Sequence, residues 1–250
     1  VEPPSTLWMR CEMSDTEETR TEFHDLMDAL RGDLVRMSGL VTEGISTVTQ
    51  FLLGNNIGLA DQISSGDDEI DLLSVEAEEK CVRMLALQQP VAVDLRTILT
   101  DLRMISEIER SGDLVANIAK GIGRLQGVEL DPRLRGLLDR MSEQALRLTS
   151  RAMDSYLDRD AGLAGALGDL DDRLDELHND FIETVFSSRN DRLITTQQAV
   201  QLAVICRFYE RIGDHAVNVG ERVQYLVNGE LPEHKGAQRA RARREQGDVS

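Results

Sequence analysis

The sequence predicts an all-α fold, and three properties of the 250-residue chain support this prediction. Only five prolines are present, and none lies between Pro4 and Pro90 or between Pro132 and Pro232, so two long stretches contain no helix breaker. Aromatic residues make up 4% of the chain, and its other apolar residues favour packed helices over a β-sandwich or barrel. Those apolar residues also recur in steps of three and four, as they do on one face of a helix.

Three long helices are predicted for the first half. Residues 1–20 are polar, contain two prolines and show no apolar periodicity, so we expect a disordered leader outside the fold. Apolar residues then recur at helical spacing, and this pattern is interrupted at Gly54-Asn55 and at Gln89-Pro90. We therefore predict helices over residues 23–54, 65–87 and 93–124. Together they form a first repeat, residues 21–125.

The second half repeats this order. Helices are predicted over residues 132–157, 163–188 and 195–226, with Pro132 in a first helical turn, and they form a second repeat, residues 131–230. Residues 233–250 contain four arginines among alanines and are expected to be a disordered basic tail. Units of about 100 residues are too long for the common solenoid repeats. We therefore predict two tandem pseudo-symmetric three-helix bundles with six long helices.

Charge and cysteine content narrow the class of protein. The net charge is −17, from 45 acidic and 28 basic residues, which disfavours nonspecific binding to nucleic acid or anionic lipid. Cys11, Cys81 and Cys206 are too few and too scattered for a disulfide framework or a zinc site with short ligand spacing. No apolar run is long enough for a membrane span, and no signal peptide is recognisable. We expect a cytoplasmic protein.

A nine-residue motif, E-R-x-G-D-x-x-x-N, occurs twice, at residues 109–117 and 210–218. In a helix the Glu, Asp and Asn lie at i, i+4 and i+8, so each copy forms a column of oxygen atoms along nearly one face. Like charges four residues apart repel by about 0.2–0.5 kcal/mol, which suggests that a metal ion or a basic partner lies opposite. The mid-helix Gly112 and Gly213 each cost about 1 kcal/mol relative to Ala, which indicates close helix contact or function.

Paired carboxylates also occur on the second helix of each half, one antiparallel helix away from the motif. Carboxylates with an amide oxygen suit Mg²⁺, Mn²⁺, Ca²⁺ or iron, whereas zinc with nitrogen ligands is less well suited. His215 points about 100° away from its neighbour Asp214, so we expect an edge residue and not a ligand. The candidate metal ligands are Asp67, Asp71, Glu109, Asp113, Asn117, Asp171, Asp175, Glu210, Asp214 and Asn218.

Other chemistry finds little support in the sequence. Arg110 and Arg211 follow the motif glutamates and could bind a partner protein, a phosphorylated ligand or a neighbouring helix; an intramolecular ion pair is the alternative. No phosphate-binding loop, nucleophile elbow, H-E-x-x-H or Glu-x-x-His pair is present. Nucleotide hydrolysis, acyl transfer, zinc proteolysis and di-iron oxidase chemistry are therefore not indicated.

The chain resembles a known family. The duplicated motif, together with Cys81-Val82-Arg83 and Gln89-Pro90-x-x-x-Asp94-Leu95-Arg96, is similar to the phosphate transport system regulatory protein family, PhoU, over about residues 21–231. Ser111 stands where that family usually has an aliphatic residue. The resemblance implies two pseudo-symmetric three-helix bundles, which in some members carry divalent or trivalent metal ions (iron, Mn, Mg or Zn) on the acidic motifs, and a homodimer in many members.

The resemblance also implies a role that is not enzymatic. Such a protein acts as a negative regulator of phosphate uptake and of the phosphate-starvation response. It links the ATPase of a phosphate ABC transporter to a membrane sensor histidine kinase, and is peripheral to the membrane only through these partners. Two alternatives remain at this point: a carboxylate-bridged metal-dependent enzyme on a helical bundle, and a helical scaffold without metal.

Overall fold

The computed structural model describes residues 6–54, 60–88, 90–125, 130–191 and 193–230. Side chains are described from Arg20 onward, apart from a few positions near the ends of the second helix. Every regular element in these ranges is a helix, which confirms the predicted all-α class. The helices are α1 (Thr6–Gly54), α2 (Ala60–Gln88), α3 (Ala92–Gly123), α4 (Pro132–Asp158), α5 (Ala161–Gly165), α6 (Leu167–Asn190) and α7 (Thr196–Asn228).

Two of the predicted boundaries are wrong. The expected disordered leader is helical over residues 6–20, because an existing helix extends at little cost through a stretch without proline. The single helix predicted over residues 163–188 is divided at Ala166 into α5 and α6, in a segment where three glycines weaken helix propensity. Residues 1–5 and the predicted basic tail lie outside the described residues.

Local signals fix several helix ends. The carboxylate of Asp131 accepts hydrogen bonds from the backbone N–H groups of Arg133 and Leu134 at the start of α4. A reciprocal capping box between Thr195 and Gln198 starts α7. The same helix ends at Gly229, whose φ of 75° lies in the left-handed region that favours glycine.

The two halves share one hydrophobic core. Helices α1–α3 form one bundle and α4, α6 and α7 form the other, while α3 and α7 pack side by side along the middle. A Cβ atom on Gly121 of α3 would lie 2.9 Å from Cγ1 of Ile205 in α7, so these two helices approach closely. The buried Tyr209 hydroxyl lies 2.7 Å from Thr49 Oγ1, which joins α7 to α1. The bundles are therefore tightly coupled.

None of the helices, over their described residues, combines the length and apolar character needed to cross a lipid bilayer.

Candidate acidic sites on paired helices

The first acidic cluster comprises Asp67, Asp71, Glu109 and Asp113. It forms where α2 packs closely on α3. A Cβ atom on Gly112 would lie 2.9 Å from Cδ1 of Ile70, so only glycine allows this approach without movement of Ile70. The contact places the aspartates that flank Ile70 beside the motif carboxylates of α3, and the candidate Asn117 is half-buried one turn further along.

The carboxylates of this cluster disfavour one another's ionisation. Burial, followed by the charges of Asp71 and Asp113, raises the pKa of Asp67 above its ordinary value. Burial, followed by the charges of Asp113 and Asp71, likewise raises the pKa of Glu109. Asp67 also lines a cavity of about 520 Å³ between α1, α2 and α3. A cation near these side chains would offset their repulsion.

The second acidic cluster comprises Asp171, Asp175, Glu210 and Asp214, on α6 and α7. A Cβ atom on Gly213 would lie 2.5 Å from Oδ1 of Asp171 and 2.7 Å from Cδ2 of Leu174, so the glycine leaves room for this carboxylate. Burial, followed by the charges of Asp175 and Asp214, raises the pKa of Asp171 to about 6. The repeated motif glycine thus has the same physical role in both halves, which is close packing of the helix that carries the paired aspartates.

Two buried carboxylate oxygens in the second cluster have no hydrogen-bond partner, Oδ1 of Asp171 and Oε2 of Glu210. The other oxygen of Glu210 forms an ion pair with Arg207, one turn earlier on α7. A buried charged oxygen without a partner is costly. These two atoms are suitable positions for a cation to bind.

The oxygen atoms of both clusters are suitable ligands for a hard cation, but the side chains are not arranged to bind one. Carboxylate oxygens are the ligands that such cations prefer, and the unpaired oxygens are consistent with binding. No group of three or more His, Cys, Asp or Glu side chains among the described residues stands close enough together to hold an ion. Ligation would require these side chains to move closer together. Metal binding by the ten candidate residues stays a prediction.

The structure reveals a polar contact between the halves that was not predicted. Nδ1 of His215 lies 2.7 Å from Oε2 of Glu107, and the amide of Asn218 donates to the same oxygen at 3.0 Å. Burial alone would raise the pKa of Glu107, but these hydrogen bonds outweigh it and the net pKa is lowered. The prediction that His215 is an edge residue is wrong, because this residue is 7% exposed and faces α3. Periodicity within one half could not show a bond between residues 108 positions apart.

Arg110 and Arg211, the candidate partner-binding residues, are both exposed. Neither forms an ion pair with any carboxylate in the part of the chain that the structure describes. The intramolecular ion pair considered from the sequence is therefore not observed there, and both guanidinium groups face solvent.

Both halves of the chain are similar to a known protein family and to individual proteins. A family model described as the PhoU domain matches twice, over residues 34–122 and 138–223. A phosphate-specific transport system accessory protein, PhoU homolog 2 of Mycobacterium tuberculosis, is 34% identical over 215 residues, covering 85% of this chain and 100% of the relative. A PhoU homolog of Aquifex aeolicus is 34% identical over 210 residues, covering 84% of this chain and 94% of that protein.

Solved structures show the same architecture. The crystal structure of PhoU from Pseudomonas aeruginosa superposes with a TM-score of 0.78 at 29% identity, covering 83% of this chain and all of that chain. The phosphate transport system regulatory protein PhoU from Streptococcus pneumoniae gives a TM-score of 0.77 at 25% identity, with coverages of 84% and 98%. The similarity therefore extends over both bundles.

Proposed function

The chain belongs to the PhoU family, and on this premise we propose that it is an accessory protein of a phosphate-specific transport system. In this role it is a negative regulator of phosphate uptake and of the phosphate-starvation response. One observation carries the proposal: both halves match the PhoU domain, and the alignment spans the full length of a relative named as such an accessory protein.

We propose that the protein acts as an adaptor and not as an enzyme, linking the transporter ATPase to a sensor histidine kinase in the cytoplasm. An adaptor needs surfaces that other proteins can cover. Three large apolar residues of α2, Leu72, Val75 and Val82, are 54–60% exposed, and Phe186 of α6 is 65% exposed. Exposed apolar side chains of this size are typical of protein interaction sites when they lie together, as the α2 residues do along one helix.

The acidic clusters have a structural role in this proposal. Divalent or trivalent cations such as iron, Mn, Mg or Zn would be held by the carboxylates of the first and second clusters, with Asn117 and Asn218 nearby. A bound cation supplies positive charge where the aspartates of α2 and α6 meet the motif helices. The chain's own residues position these helices through the glycine contacts, so that cation binding would tighten α2 on α3 and α6 on α7. We also propose a homodimer, as the family resemblance implies.

Affinity capture tests the adaptor role. The tagged protein is isolated from phosphate-replete cells after mild detergent solubilisation of membranes, and the retained proteins are identified by mass spectrometry. We expect a phosphate-transporter ATPase and a sensor histidine kinase. Recovery of neither partner, under conditions that preserve a known membrane complex from the same cells, would contradict the proposal.

Two double variants test whether the motif arginines contribute to partner binding. Arg110→Ala with Arg211→Ala removes the solvent-facing guanidinium groups of both motifs and is expected to weaken recovery of at least one partner. Arg147→Ala with Arg151→Ala is the matched control, since it removes two exposed arginines of α4. Equal recovery by both double variants would exclude the motif arginines as contacts while leaving the adaptor role itself to be judged by the wild-type result.

A further inference from the structure

The outer face of α2 is not covered by another helix among the described residues, because α2 packs only on α1 and α3. Five exposed positions on this face recur at the alternating three- and four-residue spacing of a coiled-coil interface, and four of them are apolar. They are Leu72, Val75, Glu79, Val82 and Ala86, and we call them the α2 seam. A shallow depression of about 480 Å³ lies along the seam, and its lining includes Val75, Val82 and Ala86.

The second half of the molecule shows that the fold does not require an apolar seam. Helix α6 corresponds to α2 at an offset of 104 residues, and the buried residues of α2 from Ile70 to Met84 have buried counterparts in α6 at that offset. The counterparts of the seam are all exposed, and four of the five are polar: Glu176, Asn179, Glu183, Phe186 and Asn190. The apolar seam therefore belongs to the first half alone, which indicates a binding surface and not a packing requirement.

The α2 seam carries and is flanked by unpaired negative charge. Helix α2 has only two basic residues, and both form ion pairs with carboxylates of α1, Lys80 with Asp33 and Arg83 with Glu22. Three exposed glutamates in or beside the seam form no ion pair with any described residue: Glu76, Glu78 and Glu79. The face that α2 presents to solvent is therefore both apolar and acidic.

The spacing and the charge of this face together define the chemistry of its partner. Apolar residues at heptad spacing fit the apolar stripe of another helix. Glutamates beside such a stripe favour Lys or Arg at the flanking positions of the partner helix. A second copy of α2 would bring the same glutamates against them, and an anionic membrane surface would also be repelled.

We propose that the α2 seam docks a basic amphipathic helix of a partner protein. The apolar residues of that helix pack on the seam, and its Lys or Arg side chains lie beside the glutamates of α2. This inference rests on the proposed adaptor role, and it names the surface and the kind of partner segment that the role uses.

Fluorescence anisotropy with the full chain tests the proposal. The probe is a labelled synthetic helix with leucines at the a and d positions of each heptad and lysines at e and g. The control peptide has the same leucines but carries glutamates at e and g. At an ionic strength of about 0.15 M, we expect the lysine peptide to bind about tenfold more tightly or better. Equal binding of the two peptides, or no binding of either, would overturn the proposal.

Two double variants test whether the lysine peptide binds at the α2 seam. Val75→Gln with Val82→Gln removes two apolar side chains of the seam and should weaken binding about tenfold or more. Val200→Gln with Val204→Gln, at exposed positions of α7, is the matched control and should bind normally. Gln favours a helix more than Val does, so both variants should remain folded, which circular dichroism checks. Equal binding by the two double variants would contradict the proposed site.

Charge reversal separates recognition by the seam from general attraction to an acidic protein. Glu76→Lys with Glu79→Lys reverses two charges of this face, whereas Glu143→Lys with Glu183→Lys changes the net charge equally at exposed positions of α4 and α6. Only the first variant should weaken binding of the lysine peptide by about tenfold. Equal weakening by both variants would show that the attraction is nonspecific and would overturn the proposal.

Photo-crosslinking in phosphate-replete cells identifies the segment that occupies the seam, with p-benzoylphenylalanine incorporated in place of Val82. We expect a crosslink to a helical segment of another protein that is rich in Lys or Arg. A crosslink to a second copy of this chain, or to an acidic segment, would overturn the proposal. If the Val75→Gln, Val82→Gln variant still captures every partner that the wild type retains, the docking site is wrong while the adaptor role stands.

Discussion

Nδ1 of His215 in α7 lies 2.7 Å from Oε2 of Glu107 in α3, so a residue within the second acidic motif is bonded to the first half. Asn218, the last residue of the second motif, donates to the same oxygen. The two halves are therefore joined by a buried polar contact as well as by their shared core. A change at the second motif is expected to affect the helix that carries the first.

Replacing Glu107 with Ala should destabilise the protein, because the donors of His215 and Asn218 lose their acceptor in a buried position. We expect a loss of about 1–3 kcal/mol in the free energy of unfolding, measured by urea denaturation at pH 7. Glu183→Ala, at an exposed position of α6, should change stability by less than about 0.5 kcal/mol. Equal effects of the two substitutions would show that the contact contributes nothing measurable.

This contact should also be sensitive to acid. The pKa of Glu107 is lowered in the folded protein from its ordinary value of 4.5. Its stabilising contribution is therefore present above that ordinary value and is lost as the pH falls through the lower, folded value. The stability difference between the wild type and Glu107→Ala should shrink below about pH 4.5, in urea denaturation repeated at decreasing pH.

Gly213→Ala tests the close packing of α7 on α6. The new Cβ atom would lie 2.5 Å from Oδ1 of Asp171, so we expect the overpacking cost of about 1–3 kcal/mol to exceed the gain in helix propensity. Gly136→Ala is the matched control, because no atom lies within 4 Å of its added Cβ, and it should stabilise α4 by up to about 1 kcal/mol. Opposite signs in thermal unfolding are the expected result, and stabilisation by both would contradict it.

Asp171→Asn should change stability in a direction that depends on pH. The pKa of Asp171 is raised from 3.8 to about 6, so ionisation of this carboxyl destabilises the folded state as the pH rises through that window. In EDTA the variant should therefore become more stable than the wild type above about pH 6, and this advantage should vanish near pH 4. Asp180→Asn, exposed on the same helix, should show no such trend.

Excess Mn²⁺ should make the wild type more stable than the Asp171→Asn variant, because a cation stabilises the wild-type carboxylate more than the amide. The comparison is made by urea denaturation at pH 7 with EDTA or with Mn²⁺. An unchanged difference between the two proteins in the two conditions would argue against cation binding at Asp171.

Combined Asp113→Ala and Asp214→Ala should abolish retained metal without unfolding the helices, whose apolar faces are unchanged. Metal content after dialysis is measured by inductively coupled plasma mass spectrometry, and helicity by circular dichroism. Asp154→Ala with Asp158→Ala removes two exposed aspartates of α4 and should retain the wild-type metal content. Retention of metal by the motif variant would rule out the proposed ligands.

Much of the architecture could be predicted because helices depend on local sequence. The absence of internal prolines and the spacing of apolar residues predicted all the long helices, and the predicted start of α7 at residue 195 lies within one position of the observed start. The division between α5 and α6 was missed. Glycines weaken the helix there, and the residues on both sides of the break also pack closely on α7, because Ala164 O and Leu167 Cδ1 lie only 2.9 and 2.5 Å from the position of a Cβ atom on Gly220.

The sequence by itself determined the fold class, the duplicated motif and the carboxylates that the motif contributes, because all of these follow from residue types at helical spacing. Only the tertiary structure decided which groups meet across helices. It paired Glu107 with His215, and it buried Asp101 where Tyr156 of the other half donates to it. Such contacts join residues distant in the chain, and their energies depend on burial and distance, which helical periodicity does not encode.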